Sequence, residues 1–176
     1  MFYEIHPQRE RDVVVLSLDG DGSMESLLAT EFNEWNAEIS PDGLWLAYQS
    51  DASGQYEIYV CPFPNVDEGS WQISRAGGTQ PLWARDGREL FYLNPGGQLM
   101  AVSVRIEPSV TFGSPEIVFE QTYFSGPPGG RTYDASPDGK RFLMIKEGGA
   151  DDETPPAELI LVQNWLDELK RLVPTN

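Results

Sequence analysis

The sequence predicts an all-β fold of β-propeller blades, each of four antiparallel strands, with about four units, incomplete end blades and a short C-terminal helix. A recurring turn phrase is the first sign of it: "SPDG" at 40–43, a degenerate "ARDG" at 84–87 and "SPDG" again at 136–139. Asp42 and Asp86 stand 44 residues apart, Asp86 and Asp138 52 apart, and such periods suit one four-stranded blade each. The phrase is also turn chemistry. Pro41 presets the first turn angle, Asp42 bonds to nearby backbone, and Gly43 supplies the positive φ that closes a tight hairpin. Finally, the residues after each phrase alternate in strand fashion.

Taken in order, "MFYEIH", "PQRER" and "DVVVLSL" read as strand, turn and strand, and "SLLAT" (26–30) as an outer strand. The second unit begins with an inner strand around "WNAEIS" (35–40). It continues through "LWLAYQS" (44–50), the turn "DASG" and "QYEIYVCPF" (55–63), with Tyr56, Ile58 and Val60 on one face, and ends at "WQIS" (71–74). The third repeats the plan with "PLWA" (81–84), "ELFYLN" (89–94), the turn "PGG", "QLMAVSV" (98–104) and "EIVFE" (116–120). In the fourth, "TYDAS" (132–136) and "RFLMIK" (141–146) precede a polar loop and "AELILVQ" (157–163). The units fall at about 1–32, 33–77, 78–122 and 131–163 of one partial propeller domain. The tail "NWLDELKRLV" (164–173) spaces Trp165, Leu166, Leu169, Leu172 and Val173 as an amphipathic helix ended by Pro174, a cap over the last sheet.

Composition narrows the function. An apolar fraction of 40% over 176 residues supports one packed domain. The formal charge of −16, with only 12 Lys and Arg, argues against a nucleic-acid partner, which needs clustered bases. No apolar run approaches a membrane span, and the opening residues place their charges unlike a signal peptide, so no membrane insertion is expected and the compartment stays open. Cys61, the single cysteine, forms no internal disulfide and is expected to be a buried strand residue.

The segments "NAEISPDGLWLAYQSDASGQYEIYVCPFP", "WQISRAGGTQPLWARDGRELFYLNPGGQLMAVSV" and "YDASPDGKRFLMIK" resemble TolB-like propeller repeats, the WD-type repeats with a Pro-Asp signature. Their order, closing on "QNWLDELKRLVP", is similar to the C-terminal sensor-like propeller that follows the kinase domain in some bacterial serine/threonine protein kinases. The likeness spans residues 10 to 173. It implies a binding platform and leaves activity open, because a fold does not fix a function. Complete rings of this kind carry more blades than are counted here, and no kinase Gly-rich loop or H-R-D motif is present.

No residues are expected to be catalytic and none to hold a metal or cofactor. His6, the only histidine, would have to serve any Ser/His/Asp triad, and no G-x-S-x-G elbow exists. Asp19 and Asp21 in "LDGDGS" suit a hairpin turn better than a calcium loop, because the acidic ligand such a loop needs is replaced by Thr30. Asp151, Asp152 and Glu153 read as a solvated loop. Trp35, Trp45, Trp71, Trp83, Tyr48, Tyr59, Phe91 and Tyr92 fall on strands, where packing between sheets accounts for them. A ligand surface, if formed, is expected on the inner-strand rim at Trp35, Asn36, Gln80 and Tyr133. The expected function is a non-catalytic scaffold for protein or ligand binding that forms a homo-oligomer through its incomplete end blades. The competing expectation is a hydrolase using channel carboxylates or a bound divalent cation.

Overall fold

The computed structural model describes residues 2–5, 11–17, 22–106, 109–124, 126 and 130–145. Fourteen strands occur in order within them. They are β1 (Phe2–Ile5), β2 (Arg11–Leu16), β3 (Met24–Leu28), β4 (Glu34–Ile39), β5 (Trp45–Ser50), β6 (Glu57–Pro62) and β7 (Trp71–Gln72). After these come β8 (Thr79–Trp83), β9 (Glu89–Leu93), β10 (Leu99–Arg105), β11 (Thr111–Phe112), β12 (Glu116–Ile117), β13 (Tyr133–Ala135) and β14 (Phe142–Met144). One 3-10 turn, Val66–Glu68, interrupts the run between β6 and β7.

Neighbours in sequence are neighbours in space, and every pairing is antiparallel. The sheets run β1-β2-β3, β4-β5-β6-β7, β8-β9-β10-β11 with β12 also on β10, and β13-β14. The expected strand at 157–163 and helix at 164–173 lie outside the described residues, as do His6, Asp19, Asp21 and Asp151 to Glu153.

Both faces of the middle sheets are buried, which explains why β9 reads as a continuous apolar run instead of an alternation. Leu90 and Tyr92 point toward the second sheet and pack with Ala47, Ile58, Val60 and Val102. Phe91 and Leu93 point the other way and pack with Leu82, Leu99 and Tyr133. The first and second sheets meet at Val13, Leu28, Leu46, Tyr48 and Cys61. Three cores therefore separate four sheets, the stacking of consecutive blades.

The outer strand of the third sheet departs from the expected "EIVFE". Two short strands share the outer side of β10: Phe112 faces Val104, and Ile117 faces Met100. Between them Gly113 N donates to Ser103 O at 2.9 Å, while Pro115 has no N–H to offer the ladder, so the strand breaks there. Trp71 also departs from inter-sheet burial. It is 38% exposed on the short β7, edge-on to Trp45 with centroids 5.6 Å apart.

The repeated phrase folds as the sequence implies. Gly43 and Gly139 have φ of 76° and 67°, and their N–H groups close each turn on Ser40 O and Ser136 O at 2.9 Å. Each serine hydroxyl donates to the turn aspartate and accepts the N–H of the next strand, from Trp45 at 2.9 Å and Arg141 at 3.0 Å.

Candidate functional site

Counting back six residues from Asp42, Asp86 and Asp138 reaches Asn36, Gln80 and Thr132, equivalent places near the starts of three inner strands. Asn36 and Gln80 have positive φ, 47° and 59°, a left-handed conformation that L side chains adopt at a cost. Each lies in a register break, between Trp35 and Glu38 in one strand and between Thr79 and Leu82 in the other. The bulge at Gln80 turns its backbone N–H away from its own ladder and toward the second sheet.

A side-chain amide of the second sheet receives it, and takes the Asn36 side chain as well. Gln49 Oε1 accepts from Gln80 N and from Asn36 Nδ2, both at 2.9 Å. One blade on, Gln80 Oε1 accepts from Thr132 N at 2.7 Å and from the Thr132 hydroxyl at 3.0 Å. Tyr133 completes the joint by donating its hydroxyl to Gln80 O at 2.8 Å. Burial pushes the Tyr133 phenol well above its ordinary value, so it stays a donor.

Of the residues expected on a ligand rim, Asn36 and Gln80 line a recess of about 120 Å³ with Gln49, Tyr56 and Asn94. Trp35 and Tyr133 are buried, at 3% and 4% exposure, and work between sheets. Gln49 and Thr132 were not singled out by sequence. Thr132 was legible, since the six-residue count selects it over its neighbour Tyr133, whereas Gln49 carries no local mark.

A second recess, lined partly by the ends of β4 and β8, is charged. Trp83 Nε1 donates to Glu38 O at 3.2 Å, and Arg131 Nη1 donates to the Glu38 carboxylate in an ion pair that ties the fourth sheet to the second. Burial raises the Glu38 carboxyl above its ordinary value, although the Arg131 charge opposes the rise. These groups border a cavity of about 450 Å³ that also takes in Leu82, Arg85, Asp134 and Ala135.

Between the first and second sheets Glu34 is 2% exposed and accepts from the Thr30 hydroxyl. Its Oε2 and the Oδ1 of buried Asp12 have no hydrogen-bond partner among the described residues. Burial raises the Glu34 carboxyl, and the Asp12 charge adds to the rise. Among the described residues no group of three or more His, Cys, Asp or Glu is placed to hold a metal ion, and no helix is long and apolar enough to cross a membrane.

The four stacked antiparallel sheets place the chain in the β-propeller class. Solved structures make that more particular: the fold is TolB-like. TolB from Acinetobacter baumannii superposes with a TM-score of 0.61 at 17% identity, over 85% of this chain and 35% of that one. A protein of Agrobacterium tumefaciens provisionally assigned as TolB gives 0.53 at 19% identity, over 66% and 43%. An oligogalacturonate lyase of Vibrio parahaemolyticus gives 0.49 at 18%, over 74% and 34%. The chain spans less than half the length of each. No family model and no curated protein matches it.

Proposed function

We propose that this chain is a non-catalytic β-propeller scaffold that binds a protein or small ligand at its inner-strand rim. The observation that carries the reading is the amide-locked recess at Asn36, Gln49 and Gln80. Gln49 and Gln80 are buried and lock the strand starts, so the half-buried Asn36, Tyr56 and Asn94 on the recess wall are held at fixed positions, and preorganisation of this kind lowers the entropy lost on binding. The resemblance to propellers that follow a kinase domain suits a sensor platform of the same sort.

Self-assembly is the second part of the proposal. The inner edge of β1 carries no further strand among the described residues, and Leu143 and Ile145, on and just after β14, are 76% and 51% exposed. Unpaired edges template strand addition, which a second copy supplies. Size-exclusion chromatography with light scattering tests this: a concentration-dependent dimer or larger ring is expected, and a monomer at all concentrations overturns self-assembly. Thermal unfolding with calcium and then chelator tests the scaffold reading against a cation-dependent hydrolase. An unchanged midpoint is expected, whereas a rise with calcium shows a cation bound to the native state and overturns it.

A further inference from the structure

The middle of the three repeated turns gives up stability that its neighbours have. Pro41 and Pro137 hold the first central position of their turns, and Arg85 stands there instead. Ser40 and Ser136 bond both the turn aspartate and the next strand, and Ala84 does neither. The backbone is nonetheless the same, with Gly87 N donating to Ala84 O at 2.9 Å and Arg88 N to Asp86 Oδ1 at 3.0 Å. Nothing in the turn itself requires an arginine.

What the substitution provides is a guanidinium on the wall of the 450 Å³ cavity between the inner strands. The other arginine of that wall is committed: Arg131 bonds Glu38 through Nη1 and Tyr133 O through Nε. Arg85 is exposed and makes no hydrogen bond or ion pair among the described residues. Leu82 and Ala135 supply an apolar wall beside it, and the volume suits a small ligand.

We propose that Arg85 anchors a binding site for a carboxylate borne on a small apolar body. The planar guanidinium offers paired N–H donors that match a carboxylate, and the apolar part lies against Leu82 and Ala135. Glu38 and Asp134 on the same wall oppose a doubly charged phosphate more strongly than a singly charged carboxylate. The carboxylate comes from a free small acid or from the C-terminus of a peptide. This site shares no lining residue with the Asn36 and Gln80 recess and stands or falls separately from it.

The test is an NMR titration of the whole chain, following the Trp83 indole N–H and the Arg85 Nε–H. N-acetyl-leucine is compared with N-acetyl-leucinamide, which has the same body without the carboxylate. A saturable shift with the acid and little with the amide is expected. Arg85→Pro is expected to weaken the acid at least about tenfold while leaving the unfolding midpoint equal or higher, because it restores the neighbouring turns' proline. Arg85→Met removes the charge with similar length and is expected to weaken binding equally, which guards against a folding defect in the proline variant. Equal shifts with acid and amide, no saturable shift, or undiminished binding by both variants overturns the proposal. A tripeptide with a free C-terminus that binds more tightly than N-acetyl-leucine supports it and names a peptide as the source; weaker binding supports it with a free acid.

Discussion

Gln49 Oε1 accepts the backbone N–H of Gln80 at 2.9 Å across the boundary between two sheets. Both residues are buried, at 1% and 3% exposure, so the bond has no water to replace it. Gln49→Leu fills a similar volume and leaves the Gln80 amide without an acceptor. Loss of about 1–3 kcal/mol is expected, read as a lower urea midpoint with an unchanged slope. The positive φ at residue 80 gives a second reading of the same joint. Gln80→Gly and Gln80→Ala lose the same carboxamide, but only alanine keeps a Cβ in the left-handed region, so glycine is expected to be the milder change by about 1 kcal/mol. The reverse order would show that the bulge does not strain the backbone.

This joint also marks where sequence reading stops. The turns at Asp42, Asp86 and Asp138 were legible because Pro, Asp and Gly act on their own neighbours, and the strands because side chains alternate within a few residues. Gln49 is an ordinary polar residue at the end of β5, and its role depends on an amide 31 positions away that faces it only after two sheets stack. The bulges at Asn36 and Gln80 were equally hidden, since neither residue is a glycine. Thr132 lay in plain view of the repeat spacing. Arg85, too, was visible as a broken motif, but the cavity that gives it meaning is made by three separated strands.

Glu34 is expected to be a liability at neutral pH. Burial raises its carboxyl above the ordinary value of 4.5, so the native state holds the proton more tightly than the unfolded chain does. The group therefore favours folding below that ordinary value, and the contribution is lost as pH rises through the raised, folded-state value. Glu34→Gln removes the ionisation and brings an amide donor into the neighbourhood of the buried Asp12 Oδ1. The variant is expected to unfold at higher urea than the parent at pH 7, with the gap narrowing toward pH 4. A gap that is constant across the range would refute the ionisation argument.

The serine of the repeated phrase makes an internally controlled comparison. Ser40→Ala removes the acceptor for Trp45 N–H and the donor to Asp42, and about 1 kcal/mol of destabilisation is expected. Ala84→Ser supplies the missing hydroxyl beside Asp86 in the middle turn, where the same backbone already exists, and a gain of roughly 0.5–1 kcal/mol is expected. Thermal midpoints moving in opposite directions support the turn chemistry. Two losses of similar size would mean that the hydroxyl is not what distinguishes the turns.

Cys61 reports on the packing between the first and second sheets. It is 1% exposed, beside Val13, Leu28, Leu46 and Tyr48, and burial, with a smaller effect from the Asp67 charge, pushes its thiol up to about 12 from 9.0. Only the thiolate reacts with iodoacetamide. The shift alone lowers the thiolate fraction at pH 8 roughly a thousandfold, before any shielding by the neighbouring sheet. Labelling of the native chain is therefore expected to run only as fast as the first two sheets separate, and to match the model-thiol rate in denaturing urea. Because β2 and β3 supply the covering residues, truncation of the first sheet is expected to release the thiol to fast labelling while the β4 to β7 sheet still folds. Fast labelling of the intact chain would mean that Cys61 is open to solvent and that this core is not closed.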